Sequence, residues 1–254
     1  MAISIKDVSL KLGDKEILRN VTARFRKGEL TIILGPNGTG KSSLLKLITQ
    51  ELESKGDITL HDKDIKDWSG PERASFMGVL PQSSDLSFAF NVREVVEMGG
   101  LSLAVSQKEL SAIADEQMRK TEVYALANRL YPTLSGGEKQ RVHLARVLTQ
   151  ISRARHGTVL LLDEPTAALD LSHQHNTLKL AKNMAEEGAS VIAVIHDLNL
   201  AAQYADRIMI LNSGFIMADG SPKQVITKEI INRVYRWPVD VFTHPERGHP
   251  VIMG

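Results

Sequence analysis

Cysteine is absent from all 254 residues. That excludes disulfides, thiol catalysis and cysteine-bound zinc, and it suits a reducing compartment. Charge of one sign is not in excess: 31 Lys and Arg stand against 30 Asp and Glu, a formal net charge of +1, and the basic residues are scattered. Such a balance offers no surface to a polyanion, so nucleic acid is not an expected partner. Apolar runs stop after a handful of residues, short of the ~20 that a bilayer-crossing helix needs. The start, Met1-Ala2-Ile3-Ser4-Ile5-Lys6, lacks the apolar core of a secretion signal. A soluble, cytoplasmic chain is the expectation. Internal repeats and low-complexity segments are missing too. What is present is 43% hydrophobic and 24% charged residues, enough for a substantial buried core in one or two lobes.

Residues Gly35-Pro36-Asn37-Gly38-Thr39-Gly40-Lys41-Ser42 have the G-x-x-x-x-G-K-[ST] spacing of a phosphate-cradling loop, and Ser43 follows. An apolar, β-branched run at 30–34 precedes it, and Leu44, Leu47 and Ile48 recur behind it at helical spacing. The motif thus has the strand and helix it needs. Glycines at 35, 38 and 40 permit backbone angles and a close approach that a Cβ would forbid. Successive N–H groups can then turn towards phosphate oxygens at the positive end of the next helix. In that reading Lys41 reaches the β- and γ-phosphates of a nucleoside triphosphate, Ser42 supplies one oxygen to a hydrated Mg2+, and Ser43 touches the α-phosphate.

The rest of the chain reads as mixed α/β. Alternation from Ile3 to Phe25 predicts antiparallel strands with one solvated face, ended by a turn at Lys27-Gly28-Glu29. Ile58 and Leu60 mark another short strand, and Met77 to Leu80 a buried one ending at Pro81-Gln82. Residues 83–150 change texture. There Ser106 with Glu109 forms a capping box, and Val123, Leu126, Ala127 and Leu130 make a helical stripe. This segment reads as a helical insertion, which leaves 1–82 and 151–254 to a core with a C-terminal tail. Residues 159–162 and 190–195 are continuous apolar runs, typical of parallel strands buried on both faces, and 171–187, closed by Gly188, is the helix between them. A strand at 208–211, a turn at Asn212-Ser213-Gly214, a return strand at 215–218 and a helical stretch opened by Ser221-Pro222 follow. The tail from Trp237 predicts irregular chain or a small edge hairpin.

Asp163 and Glu164 follow the run 159–162, so two carboxylates stand at the carboxyl end of a parallel strand, where α/β sheets bind ligands. Asp163 suits the orientation of Mg2+ through its water shell, and Glu164 the acceptance of a proton from an attacking water. An acidic pair at a strand end can also serve only as a helix cap. In Leu134-Ser135-Gly136-Gly137-Glu138, Ser135 and Glu138 form a second capping box, and the two glycines bare the N–H groups of a helix running through Val142 and Ala145. Alone, this is an ordinary helix start. His196, ending the run 190–195, reads by itself as a satisfied structural histidine. His173 and His175, at i and i+2, fall on different helix faces and read as solvated residues rather than ligands. Trp68 and Trp237 read as packing residues.

Together these motifs resemble those of ABC-type ATPases in kind, order and spacing, over essentially the whole chain. They are the P-loop 35–43, Gln82 after its strand, the signature 134–138, Asp163-Glu164, Ala168-Leu169-Asp170 and His196. The resemblance implies an α/β fold with a P-loop (RecA-like) core, a mainly parallel sheet, an N-terminal antiparallel β subdomain and an inserted helical subdomain. It implies ATP and Mg2+ as ligands. It also implies a head-to-tail homodimer in which each ATP lies between one P-loop and the partner's Ser135-Gly136-Gly137. By the same resemblance Gln82 contacts magnesium and the attacking water, Asp170 meets the opposite subunit, and His196 holds the γ-phosphate. Ser42, Gln82 and Asp163 are then the metal set, and Lys41, Gln82, Glu164 and His196 the catalytic one.

Within the family the chain is similar to ATPases of importers for vitamin B12, ferric siderophores and haem. The segment from Asp85 to Val96 looks like theirs, while Arg155-His156-Gly157, the run from Ala167 to His175, and Arg247-Gly248-His249-Pro250 look like the haemin-import members. The expectation is an energising subunit, peripheral on the cytoplasmic face of the bacterial inner membrane, beneath two integral-membrane permease subunits. A periplasmic binding protein is then reached only through them, and the chain does not touch cargo. Phe88, Phe90, Val92 and Val95 offer an apolar docking surface for permease helices, with core burial as the alternative. A soluble ABC ATPase, for instance one serving iron–sulfur assembly, shares every motif and differs in its partners. A P-loop GTPase or kinase fits less well, since no N-K-x-D motif is present. One position departs from the family: where an aromatic residue stacks on adenine, just before a glycine, Leu12 stands before Gly13. Stacking is worth ~0.5–1.5 kcal/mol, so modest nucleotide affinity and weak discrimination of ATP from GTP are expected.

Overall fold

The computed structural model describes residues 1–82, 89–154 and 157–254. β1 (Ile3–Leu12) and β2 (Lys15–Phe25) form the antiparallel hairpin that their alternation predicts, with Ile3, Ile5, Val21 and Phe25 turned inward. β3 (Glu29–Leu34) leads into α1 (Lys41–Ile48). β4 (Lys55–Leu60) and the two-residue β5 (Lys63–Asp64) extend the hairpin to a four-stranded sheet ordered β2-β1-β4-β5. A short α2 (Gly70–Ala74) precedes β6 (Met77–Leu80). α3 (Val92–Glu97), α4 (Gln107–Lys120) and α5 (Gly136–Ile151) follow, each opened by a capping box, Ser106 with Glu109 serving α4. β7 (Val159–Asp163), α6 (Leu171–Glu186), β8 (Ser190–Val194) and α7 (Leu198–Tyr204) then alternate. After the hairpin of β9 (Arg207–Asn212) and β10 (Phe215–Gly220) come α8 (Pro222–Val225) and α9 (Lys228–Tyr235). The tail forms an edge ribbon of β11 (Asp240–Thr243) and β12 (Pro250–Met253).

The central sheet has six strands in the order β10-β9-β3-β8-β7-β6, parallel except for β10. Its inner strands are apolar on both faces because both faces are covered. Leu30, Ile32 and Leu34 of β3, with Leu162, Ala193 and Ile210, share one core with residues of α5 to α9. The alternate residues Ile33, Leu161, Ile192, Val194 and Leu211 share another with α1 and the antiparallel sheet. Successive side chains on a strand point to opposite faces, so one short apolar run serves two cores.

A third cluster, holding Val92, Val95, Met118, Val123, Tyr131 and Val142, fills the helical lobe. The second half of α5 leaves it: Leu144, Val147, Leu148 and Ile151 belong to the core beneath the sheet. One rigid helix therefore spans both. The stripe from Val123 to Leu130 is not the helix its spacing suggested. α4 ends at Lys120, Glu122 takes a left-handed φ of 59°, and single 3-10 turns at Tyr124–Leu126 and Tyr131–Thr133 carry the chain onward. Val123 and Ala127 are buried but Leu130 is 48% exposed. The apolar spacing comes from a compact loop lying on its neighbours, and Pro132 bars a continuous helix at its end. Trp68 packs edge-on against Phe76 and donates its indole N–H to Leu60 O. Trp237 is 64% exposed, contrary to the packing role expected of it. Ile231 and Val234 already fill the inner face of α9, and the left-handed Arg236 turns the chain away at its end. Among the described residues no helix is long and apolar enough to cross a membrane.

Candidate functional site

β3, β8, β7 and β6 run parallel, so their carboxyl ends share one edge of the sheet. The chain leaving them carries Gly35 to Gly40, His196, Asp163 with Glu164, and Gln82. An open cavity of about 480 Å3 lies there, lined by Asn37, Gly38, Gly40, Lys41, Ser42, Ser43, Gln82, Glu164 and His196, and by Lys15 and Ile17 of β2.

The loop's glycines have φ of 144° at Gly35, 74° at Gly38 and 100° at Gly40. A Cβ on Gly35 would stand 2.0 Å from Leu211 O, and one on Gly40 2.8 Å from Leu18 Cδ2. Close approach to β9 and β2 therefore demands glycine as firmly as the angles do. Gly40 caps α1 without a side chain, so no capping side chain competes for the helix's first N–H groups. Lys41 is 5% exposed. Its Nζ donates to Gly35 O at 2.8 Å and Pro36 O at 2.9 Å, which brings the loop's carbonyls to one side. Thr39 Oγ1 donates to Pro36 O at 2.9 Å and tightens the same turn. Burial pulls the Lys41 ammonium below its ordinary pKa, with Glu164 and Asp163 opposing the shift.

Ser42 Oγ donates to Asp163 Oδ1 at 3.0 Å. Burial pushes the Asp163 carboxyl above its usual pKa, and the Ser42 hydrogen bond works against that. A hydroxyl and a carboxylate already in contact, beside the cavity that Gln82 lines, form the hard oxygen set that suits a small cation keeping most of its waters.

Glu164 has a left-handed φ of 52°, a conformation that costs a residue with a side chain about 1–3 kcal/mol. Its N–H donates to Val194 O at 3.0 Å, and its carbonyl accepts from Ala167 N at 3.2 Å and Gln140 Nε2 at 2.8 Å. Glu164 Oε1 lies 2.7 Å from His196 Nε2. The cap of α6 is Asp170, which accepts from His173 N at 3.0 Å, and not the acidic pair. His196, with a side chain 41% exposed, is no buried structural histidine.

Ser135, Gly136, Gly137 and Asp170 do not line this cavity. Ser135 and Glu138 form the expected capping box, the Ser135 N–H donating to Glu138 Oε2 at 2.7 Å. That bond, with the Ser135 hydroxyl, holds the Glu138 carboxyl below its usual pKa. Gly137 has an intrachain reason beside any bare N–H group: a Cβ there would stand 2.7 Å from Ala168 O.

Several expectations are corrected. Leu12 is 46% exposed, pairs with Lys15 at the hairpin end and does not line the cavity. The residues missed there are Lys15 and Ile17, which the two-residue strand period places on one face. His173 and His175 do face different ways, but neither is merely solvated. Arg141 Nη1 donates to His173 Nε2 at 2.7 Å, His173 Nδ1 meets Glu122 Oε2 at 2.9 Å, and His175 Nδ1 meets the Tyr204 hydroxyl at 2.8 Å. Val92 and Val95 are fully buried, so core burial accounts for them, and Phe90 packs on the same cluster. Residues 83–88, Phe88 among them, and Arg155-His156 lie outside the described residues.

The ABC transporter family model matches residues 18–167. The hemin import ATP-binding protein HmuV of Aliivibrio fischeri is 54% identical over 252 residues, covering 99% of this chain and 97% of that protein. An ABC transporter solved in an inward-facing conformation superposes with a TM-score of 0.81 at 24% identity, over 99% of this chain and 96% of that one, a likeness of fold alone. A bacterial ABC transporter cassette solved as a dimer gives 0.77 at 29% identity, over 86% of this chain and 98% of that one. The chain belongs to the ABC transporter family, as an ATP-binding subunit with ATPase activity.

Proposed function

We propose that this chain is the ATP-hydrolysing subunit of a haemin importer. It works as a homodimer beneath two permease subunits on the cytoplasmic face of a bacterial inner membrane, with a periplasmic binding protein upstream and no contact with cargo. The chemistry rests on one observation, Glu164 joined to His196 at 2.7 Å on the wall of the cavity that the P-loop lines. The cargo rests on the 54% identity with a hemin import protein over nearly the whole chain.

In this reading residues 1–82 and 151–254 hold the nucleotide, and 83–150 form the lobe that presents Ser135. The P-loop N–H groups of residues 35–43 cradle the triphosphate. Lys41 has three N–H donors and gives two to Gly35 and Pro36, which leaves one for a phosphate oxygen. Ser42, Asp163 and Gln82 would hold Mg2+, which supplies charge neutralisation on the phosphate oxygens. Glu164 accepts a proton from the attacking water, and His196 holds both the Glu164 carboxylate and the γ-phosphate in register. Ser135, Gly136, Gly137 and Asp170, away from their own cavity, complete the site of a second copy.

Glu164→Gln keeps the shape of the acceptor and removes its basicity. Hydrolysis should fall by about 100-fold or more, and size-exclusion chromatography with ATP and Mg2+ should show a persistent dimer. Turnover near the wild-type rate would reassign the proton acceptor. For the cargo, vesicles containing this chain with the permease that co-purifies with it should hydrolyse ATP faster with a haemin-loaded binding protein. Stimulation by vitamin B12 or a ferric siderophore instead would move the cargo assignment, and failure to associate with membranes would favour a soluble ABC ATPase.

A further inference from the structure

We infer that Gln140 is a positioning residue for Glu164, linking the helix that presents Ser135 to the proton acceptor of the same subunit. The inference rests on the reading of Glu164 as that acceptor. Gln140 lies on α5, five residues beyond the Ser135 cap, and its Nε2 donates 2.8 Å to Glu164 O. A carbonyl only accepts, so chemistry fixes which end of the amide faces it.

Glu164 is the point where such a contact has leverage. Its backbone is left-handed, its N–H is anchored at 3.0 Å to Val194 O at the end of β8, and its carboxylate reaches His196. With one side of the residue anchored to the sheet, the orientation of its carbonyl decides where the side chain points. Of the two groups donating to that carbonyl among the described residues, Ala167 N belongs to the same turn, and only Gln140 comes from another element. The Gln140 Oε1 is buried and finds no protein partner among the described residues. An apolar side chain of similar size would avoid that penalty, so packing alone does not account for a glutamine here. A rigid helix transmits displacement along its length. Whatever engages Ser135 therefore bears on Glu164 through five residues of α5 and one hydrogen bond.

The test uses the full-length chain with Gln140→Leu, which keeps bulk and removes the donor, and Gln140→Glu, which keeps length but can only accept when ionised. Turnover, ATP affinity and melting temperature are measured for both, and ATP-driven dimerisation is measured with each change placed in the Glu164→Gln background. The expected result is a fall in kcat of about tenfold or more in both variants, with ATP affinity within about twofold and dimerisation and melting unchanged. Unaltered kcat in either variant would overturn the inference, as would a loss of affinity and melting temperature in step with kcat, the mark of a merely structural role. Full activity of Glu164→Gln alone would instead remove the acceptor on which the inference rests, a failure read in a different variant.

Discussion

Single residues around the phosphate loop answer to more than one constraint. Gly35 needs its positive φ, and it also needs to be bare because Leu211 O would lie 2.0 Å from a Cβ. Gly35→Ala should therefore weaken folding as well as binding, by about 1–3 kcal/mol or more of overpacking and backbone strain. Thermal melting and ATP titration together check this, and an unchanged melting temperature would contradict the contact with β9. The φ requirement was legible from the motif. The contact with β9 was not, because Leu211 is 176 residues away in the chain. Leu12 teaches the converse: it stands 46% exposed at the hairpin end opposite Lys15, and it is Lys15 and Ile17, not Leu12, that line the cavity, which the order of residues in the chain does not foretell.

Elements are where periodicity served well and then failed. Strands of the central sheet read as continuous apolar runs because helices cover one face and the antiparallel sheet the other. The segment 123–130 has helical spacing and no α-helix, since a chain bent into 3-10 turns can also bury every third or fourth residue. Val92 shows the same ambiguity from the energetic side. As the first residue of α3 it looks available for docking, yet it is fully buried among Val95, Met118 and Tyr131. Val92→Asp should place an unpaired charge in that cluster and lower the melting temperature of the isolated chain sharply. Phe242→Asp on the exposed ribbon should not, since Phe242 is 55% exposed. Equal melting of the two variants would show that Val92 is not a core residue in solution.

At the scale of the molecule, one cavity holds the P-loop, Gln82, Glu164 and His196, with Asp163 joined to it through Ser42, while Ser135 and Asp170 stand elsewhere. If two copies complete each other's sites, Ser135→Arg alone should abolish hydrolysis although its own P-loop is intact. Mixing it with Lys41→Ala should restore part of the activity, because in a mixed dimer both lesions fall on one composite site and the other keeps every residue. Clear ATP hydrolysis by Ser135→Arg on its own would exclude the shared site.

From the amino-acid sequence alone come the phosphate loop, the carboxylate pair at a strand end, the capping boxes and the strands buried on both faces. Each is a local pattern, written in neighbours whose spacing matches the period of the backbone. Only the tertiary structure decides that Ser42 meets Asp163 across 121 residues, that Glu164 sits in a left-handed turn held by Gln140, and that Gly35 touches β9. Those are facts of packing between distant elements, where shape and hydrogen-bond geometry select the partners and no local spacing records them.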